Sequence, residues 1–331
     1  MHKKAAYRAL ISGQLIGLDT CPGVRPLGVG ETWILMLANC VLVVIVVKAK
    51  EASGTENICG GLVMRIEGGT YAVWLLWQKH TQEEDWGFLV IDARNASNEE
   101  NRTAILWEVW VEWPKGARFA FNCYSHWATL VIRAGDGKGQ FLFNKEVVTQ
   151  GYPLEMVAYG LGILPLIREL RQDHPGVTQP WYADDAEAGG TFEGIQRHLD
   201  DLMVKGPPQG YFTEPTRSIL VPQADAFFQG YGLQIVTGSR YLGGFVGAKE
   251  VQDHWMGEKV EGYQDLVATL DGVVCRHPQT AYTGLQKSLK QEWAFVQHVT
   301  PDIGMDFQVL KDALQETLLT DLFQGDFGPY T

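Results

Sequence analysis

The spacing of apolar residues divides the chain into a helical start, a mixed middle and a helical end. An apolar run at 33–47, interrupted only by Asn39, predicts a buried helix, and the apolar spacing at about 62–80 predicts a second one. The first 32 residues are rich in proline and glycine and predict turns. From about residue 250 onward the pattern is helical only.

Short apolar runs in the middle of the chain predict strands. The run at 86–91 ends on Asp92, as expected of a buried strand with a charged residue at its tip. Further strands are predicted at 128–133, 140–143, 178–185 (as strand, turn, strand), 218–221 and 233–236. Helices are predicted at 98–113, 154–171 and 191–204, and Pro165 is expected to kink the second of these. The mixture predicts an α+β fold.

Composition limits the cellular setting and the kinds of site. With 331 residues, 46% apolar and 20% charged, the chain has room for two or three compact subdomains. Its longest apolar run is shorter than the roughly 18–20 residues of a membrane span, and no secretory signal is visible, so we expect an intracellular protein without a membrane partner. Five cysteines without a CxxC pair indicate neither a zinc module nor a disulfide framework.

The net charge of -12 argues against a nucleic-acid partner, because proteins that follow a phosphate backbone usually present a basic face. Two pairs of cations with the spacing of one helical turn, Arg168 with Arg171 and Lys287 with Lys290, are candidates for a local basic groove. Nucleic-acid binding therefore stays open on charge alone.

Three carboxylates suggest a metal site. Asp92 follows a predicted strand, and Asp184 and Asp185 lie in a predicted strand-turn-strand, so separate elements can bring them together. Nucleotide transfer to a primer needs two divalent cations, which activate the 3′-hydroxyl and neutralise the triphosphate, and hard cations prefer carboxylate oxygens. The alternative is an ordinary surface turn, because an aromatic residue followed two positions later by Asp-Asp is common by chance.

Six segments in one order cover nearly the whole chain: RPLGVGETW at 25–33, IDARNASN at 91–98, VTQGYPL at 148–154, YADD at 182–185, EPTRSI at 214–219 and YLGG at 241–244. Together they resemble the motifs of the reverse transcriptases of non-LTR retrotransposons. The resemblance implies a right-hand polymerase core, with fingers at 1–85, a palm at 86–249 with an inserted fingers segment at about 99–149, and a helical thumb at 250–331.

The resemblance also implies roles for individual residues. Asp92, Asp184 and Asp185 would be the catalytic residues and would hold two Mg²⁺ ions, for which Mn²⁺ can substitute. The residues implied at the nucleotide are Arg25, Ser97, Gln150, Gly151 and Arg217. The residues implied at the primer grip are Tyr241, Leu242 and Gly243. Taken singly, the Gln-Gly and Tyr-Leu-Gly-Gly segments are more often a turn and a strand end, and Arg25 is by default a solvated arginine.

Several positions depart from the family pattern. Ser97 stands where an aromatic ring usually excludes the ribose 2′-hydroxyl, so we expect weakened rejection of ribonucleotides. Tyr152 replaces an acidic residue, and Ile34, Leu35 and Asn39 replace cations. Arg217 replaces a lysine and, because a guanidinium does not readily release a proton, would stabilise charge rather than act as a general acid.

The sequence thus predicts an RNA-directed DNA polymerase core of a retroelement, acting on an RNA template, a DNA primer and deoxynucleoside triphosphates. The departures suggest a degenerate copy and keep a second interpretation open, in which a catalytically inactive nucleic-acid-binding or scaffold protein retains the fold. A two-carboxylate hydrolase leaves the Gln150-Gly151 and Tyr241-Leu242-Gly243-Gly244 segments unexplained. No endonuclease or RNase H segment is visible, so we expect a fragment of a larger element. The resemblance implies a nuclear location.

Overall fold

The computed structural model of the protein describes residues 9–19, 24–54, 56, 65–94, 99–133, 139–144, 152–224, 231–301, 303 and 306–323. The chain forms two compact units. The first contains residues 1–65, 85–220 and 226–234, and the second contains residues 66–84, 221–225 and 235–331. Each unit is therefore assembled from segments far apart in sequence. The predicted fingers, palm and thumb boundaries stay predictions.

Helices and strands alternate through the first three quarters of the chain. The strands are β1 (Gly13–Asp19), β2 (Val24–Gly30), β3 (Trp86–Ile91), β4 (Ala128–Arg133), β5 (Gly139–Asn144), β6 (Trp181–Tyr182), β7 (Asp185–Thr191), β8 (Ile219–Pro222), β9 (Gln234–Ile235), β10 (Gly238–Tyr241) and β11 (Gly244–Gly247). Within the described residues the α-helices are α1 (Thr32–Ser53), α2 (Arg65–Lys79), α3 (Arg102–Glu112), α4 (Pro114–Tyr124), α5 (Glu155–Gly162), α6 (Leu164–Asp173), α7 (Phe192–Gln209), α8 (Lys249–Val274), α9 (Pro278–Gly284), α10 (Lys290–Val299), α11 (Asp306–Ala313) and α12 (Leu319–Phe323).

A five-stranded sheet with strand order β6-β7-β3-β8-β9 carries the carboxylates. β3 and β7 run antiparallel, with Leu89 opposite Ala188 and Ile91 opposite Ala186. The small residues of β7 and the large residues of β3 other than Val90 are buried, so large side chains of β3 face small residues of β7 across the pair. Residues from α6 and α7, together with Trp181 and Tyr211, complete one hydrophobic core on this sheet.

A second core of the first unit is mainly helical. It contains buried residues of α1, α3, α4 and α5, among them Ile34, Trp113 and Leu161. Trp113 lies between α3 and α4, and a Cβ atom at Gly116 would come within 2.6 Å of its ring. Glycine at 116 therefore lets α4 start against the indole. Beside this core lies a four-stranded sheet with strand order β2-β1-β4-β5.

The second unit has its own helical core, centred on α8. Residues such as Met256, Tyr263 and Val267 from α8 pack against Trp293 of α10 and Leu310 of α11. Two short π-helical stretches, Leu285–Leu289 and Leu314–Leu318, link the later helices. The helical pattern predicted beyond residue 250 is confirmed.

Several predictions at the level of single elements are confirmed. Helices lie at the positions predicted near 62–80, 98–113 and 191–204, and β4 and β5 form the predicted hairpin strands. The glycine-rich connection at 134–138 lies outside the described residues.

Three expectations were wrong. The first 32 residues contain β1 and β2, a paired set of strands rather than turns alone. Pro165 does not kink one long helix: α5 ends at Gly162 and Pro165 lies in the first turn of α6, where its missing N–H leaves no hydrogen bond unmade. The helix predicted at 33–47 is buried on one face only, because Val43 and Val44 are each 79% exposed.

Among the residues that the structure describes, no helix combines the length and the apolar character that crossing a bilayer would require.

Candidate active site

A tight hairpin presents two of the three predicted carboxylates. Trp181 pairs with Ala186 and Tyr182 with Asp185, so Ala183 and Asp184 form the two-residue turn between β6 and β7. Ala183 has a φ angle of 55°, in the left-handed region that side chains with a Cβ atom seldom adopt. The Tyr211 hydroxyl donates a hydrogen bond to the Asp184 carbonyl at 3.0 Å and so stabilises the turn. The predicted strand-turn-strand is confirmed.

Asp92 joins this hairpin through the register of the sheet. Ile91 at the end of β3 is opposite Ala186, so the next residue, Asp92, lies beside Asp185. Three carboxylates from two separate parts of the sequence thus meet at one end of the sheet. The sequence prediction that Asp92, Asp184 and Asp185 come together agrees with this arrangement.

Burial and neighbouring negative charges raise the pKa of two of the three aspartates. Burial raises the pKa of Asp185 to about 7, and the negative charges of Asp184 and Asp92 contribute to the same rise. Burial also raises the pKa of Asp92; the charge of Arg217 opposes that shift, while Asp184 and Glu214 add to it. A cluster that resists ionisation in this way is an attractive site for positive charge.

A closed ring of hydrogen bonds fixes the backbone at Asp92. The Asp92 N–H donates to the Ser218 hydroxyl oxygen at 3.1 Å, and that hydroxyl donates to the Glu214 carbonyl at 2.9 Å. The Glu214 N–H closes the ring on the Asp92 carbonyl at 2.8 Å. Ser218 is only 1% exposed, so the hydroxyl that joins the ring is shielded from water. The 214–218 turn therefore determines where the tip of β3 can lie.

The same turn supplies a cation. A guanidinium nitrogen of Arg217 lies 3.6 Å from an Asp92 carboxylate oxygen. The Arg217 side chain is 70% exposed, so this pair is well solvated and contributes little to stability. The structure therefore places the Arg217 guanidinium beside the carboxylates, and its charge-stabilising role stays a prediction.

The structure does not describe the side chains of the other residues predicted at the nucleotide pocket. Ser97, Gln150 and Gly151 are not among the described residues. Arg25 lies on β2, opposite Leu18 of β1, and its side chain is also outside the description. Their predicted roles stay predictions.

The predicted primer-grip segment forms a hairpin in the second unit. Tyr241 pairs with Gly244 across a turn made by Leu242 and Gly243, whose φ angles of 45° and 84° are both positive. A Cβ atom at Gly243 would lie 2.6 Å from the Phe295 ring, and one at Gly244 would lie 2.5 Å from the Val299 carbonyl oxygen. Packing against α10 thus requires both glycines. The segment is a tight turn and not merely a strand end.

Two of the departures from the motif pattern, Tyr152 and Ile34, lie in a hydrophobic core. Tyr152 is buried in the helical core of the first unit, where burial raises the pKa of its hydroxyl to about 12, with smaller contributions from Cys123 and Glu31. A Cβ atom at Gly30 would fall 2.4 Å from that hydroxyl oxygen. Ile34 is buried in the same core. Both positions are therefore used for packing.

The predicted basic groove at Arg168 and Arg171 is not formed. Arg168 pairs with the carboxylates of Glu56 and Glu112, and Arg171 donates to the carbonyl oxygens of Glu56 and Gln179. Both arginines therefore make contacts within the chain. Lys287 and Lys290 are exposed in the second unit.

The donor set suits a divalent cation, although it is not arranged around one. In the part of the chain that the structure describes, no group of three or more histidine, cysteine, aspartate or glutamate side chains has the arrangement of a metal site. The Asp92 oxygen that lies 3.6 Å from Arg217 is itself shielded from water and accepts no hydrogen bond within the described structure. An oxygen in that state, beside an Asp185 whose pKa is already near 7, fits the hard-cation chemistry proposed for the three carboxylates.

Sequence reasoning missed the residues that hold the site. Ser218 and Glu214 lie in a segment that resembles a palm motif, yet local spacing gives no sign of their bonds to Asp92, more than a hundred residues away. Phe212 was also missed: its ring lies 5.0 Å from the Arg94 guanidinium, and its carbonyl accepts from the Arg94 N–H. The signal available was a polar serine at the start of an apolar strand.

Solved telomerase structures share this fold. Apo telomerase from Candida tropicalis matches with a TM-score of 0.53 and 9% identity over 95% of this chain and 63% of that one. The same telomerase truncated from the C-terminal domain matches with a TM-score of 0.54 and 10% identity, over 72% of this chain and 53% of that one. Telomerase from Candida albicans, in complex with a fragment of telomeric RNA, matches with a TM-score of 0.55 and 10% identity, over 91% of this chain and 56% of that one.

The chain spans from about half to just under two thirds of the length of these telomerase chains. No family model and no curated protein matches it. Because telomerase is a specialised reverse transcriptase, the chain has a reverse-transcriptase-like fold of mixed α+β type. The comparison supports that fold and not the narrower non-LTR retrotransposon type.

Replacing Ser218 by alanine is expected to lower the free energy of unfolding by about 1–3 kcal/mol, because the partly buried Asp92 N–H loses its acceptor. Urea unfolding measures the change. Thr216→Ala is the matched control, because the Thr216 hydroxyl donates to Glu214 on the exposed side of the same turn. The control is expected to change stability by no more than about 0.5 kcal/mol. Equal losses in the two variants would contradict the role of the ring.

Replacing Leu242 by asparagine is expected to raise the free energy of unfolding by about 1 kcal/mol, because asparagine tolerates a positive φ angle and Asn-Gly is the favoured pair in such hairpins. Gly243→Ala, in the same turn, is expected to destabilise because its Cβ atom would meet Phe295. Urea unfolding of both variants tests the turn; a destabilised Leu242→Asn would show that the leucine side chain matters more than its backbone strain.

Proposed function

We propose that the protein is an RNA-directed DNA polymerase core that adds nucleotides to a primer 3′-hydroxyl. The observation that carries the proposal is the meeting of Asp92, Asp184 and Asp185 at one end of a sheet in a reverse-transcriptase-like fold. The raised pKa of Asp185 adds to it, since strongly perturbed carboxylates concentrate at functional sites.

In this proposal the chain supplies charge and position. Asp92, Asp184 and Asp185 would hold two Mg²⁺ ions, or Mn²⁺, which when bound activate the primer hydroxyl and neutralise the triphosphate. The 214–218 ring keeps Asp92 beside the hairpin. Arg217 offers its guanidinium to the triphosphate and remains charged throughout, so it stabilises charge without donating a proton.

The proposed partners are an RNA template, a DNA primer and deoxynucleoside triphosphates. One of the structurally similar telomerases is in complex with an RNA fragment, which supports a nucleic-acid partner for this fold. The motif segments support a retroelement origin of the non-LTR type and, with it, a nuclear location. The Gln150-Gly151 segment would line the nucleotide pocket, and Tyr241, Leu242 and Gly243 would support the primer end.

A second candidate is a catalytically inactive nucleic-acid-binding protein that retains the fold. Two observations favour it: Arg168 and Arg171 are used in internal contacts, and Tyr152 and Ile34 are packed into a core where the family has charged residues. Both candidates bind nucleic acid, so binding alone does not separate them. Metal-dependent synthesis does.

Primer extension on an RNA template with Mg²⁺ and all four deoxynucleotides tests the proposal. The native chain is expected to extend the primer, and the Asp184→Asn/Asp185→Asn variant is expected to lose at least about a hundredfold in rate, because the carboxylates that hold the ions are gone. Glu193→Gln/Asp200→Asn, which removes two exposed carboxylates of α7, is the matched control and is expected to keep the activity.

The outcomes separate the candidates. Primer-template binding without extension by the native chain would favour the inactive nucleic-acid-binding protein. Extension that survives loss of both aspartates would contradict the assignment of the carboxylates.

Ser97→Phe is expected to increase the preference for deoxynucleotides over ribonucleotides, because a ring at this position would occupy the space of the 2′-hydroxyl. Competing the two nucleotide types in the same extension assay measures the preference of each variant. Ser97→Ala, which adds no bulk, is expected to behave like the native chain. Equal discrimination by the native chain and Ser97→Phe would remove Ser97 from the pocket.

A further inference from the structure

Helix α1 has two apolar faces, and the described residues of the chain cover one of them. Ile34, Ala38 and partly buried Leu35, Val41 and Leu42 pack into the helical core of the first unit. The opposite face is exposed and consists of Trp33, Met36, Leu37, Val43, Val44 and Val47, with exposed fractions between 48% and 79%. We call these six residues the open face of α1.

The open face has the pattern of a helix built for a helical partner. Its residues recur with a seven-residue period, as 33, 36 and 37, then 43 and 44, then 47, and exposed Cys40 fills the remaining position of the stripe. Residues 33–47 contain no charged side chain. Surface helices of monomers rarely expose so continuous an apolar stripe.

The spacing of the stripe allows a second copy of the same helix to pack on it. The open face is centred on Cys40, and equal apolar lengths extend from it toward Trp33 and toward Val47. Two such helices packed antiparallel about a twofold axis would place Trp33 of each copy near Val47 of the other. Such a closed interface uses the same patch on both copies.

The area of the open face matches what a dimer needs. From the exposed fractions, its side chains offer roughly 700 Å² to a partner, close to the about 800 Å² per partner of a standard stable interface. A complex with an anionic partner such as RNA would be expected to use cations, and the stripe has none. We propose that the protein forms a twofold symmetric dimer through the open face of α1. This proposal does not depend on the polymerase activity.

The first test is the oligomeric state of the native chain by sedimentation velocity, from low micromolar to near-millimolar concentration. A monomer-dimer equilibrium is expected. Val43→Glu/Val44→Glu is expected to weaken dimerisation at least a hundredfold, because the new carboxylates of each copy would be buried against Leu37 and Met36 of the other. Val204→Glu, at a valine of α7 that is 73% exposed, is the matched control and is expected to dimerise like the native chain.

The second test places the axis. A short bis-maleimide is expected to link Cys40 of one copy to Cys40 of the other, and mass spectrometry of the linked peptide identifies the residue. Cys40→Ser is expected to lose this product and Cys275→Ser, at another exposed cysteine, to keep it. A native chain that stays monomeric, a dimer unaffected by Val43→Glu/Val44→Glu, assemblies larger than two, or a dimer without the Cys40 product would each overturn the proposal. Binding of the monomer to lipid vesicles through the same valines would reassign the face to a membrane surface.

Discussion

Charge repulsion at the tip of β3 is the constraint around which the first unit is organised. Burial raises the pKa of Asp92 and of Asp185, and the negative charge of Asp184 adds to both rises. The fold holds them together with backbone geometry: the sheet register places Asp92 beside Asp185, Tyr211 fastens the hairpin, and the 214–218 ring ties down the strand end. Hydrogen bonds of the backbone, Tyr211 and Ser218 thus hold the three carboxylates together against their mutual repulsion. This arrangement favours the binding of positive charge.

Strain accompanies this arrangement at two turns. Ala183 and Leu242 are the non-glycine residues that have positive φ angles in the described part of the chain, and they occupy the hairpins of the Tyr-Ala-Asp-Asp and Tyr-Leu-Gly-Gly segments. Neither residue is one that such a turn favours. Strained backbone concentrates at functional positions, where the surrounding structure can support its cost. The two motifs therefore share a strained turn, which their amino-acid sequences do not predict.

Local sequence patterns were enough to place the carboxylates, because each lies on a short element with an unambiguous signal: an apolar strand for Asp92 and a tight turn for the aspartate pair. Contacts between distant segments were not predictable in this way. Ser218 reaches Asp92 only after the sheet forms, and Tyr152 becomes a core residue only because Gly30 leaves room for it. The open face of α1 was predicted to be buried because the helix is apolar on all sides. Its sequence therefore has no polar face that would mark the side exposed to solvent.

The division of the second unit into distant segments has a consequence for synthesis of the chain. Helix α2 lies in this unit, where the Trp77 carbonyl accepts from Gln223 and a Cβ atom at Gly244 would touch Thr70. On a ribosome, α2 therefore emerges long before the residues that cover it. Contacts so remote in sequence slow folding, and the waiting helix exposes apolar surface in the interval. Production of this protein should accordingly depend on chaperones and on the rate of translation.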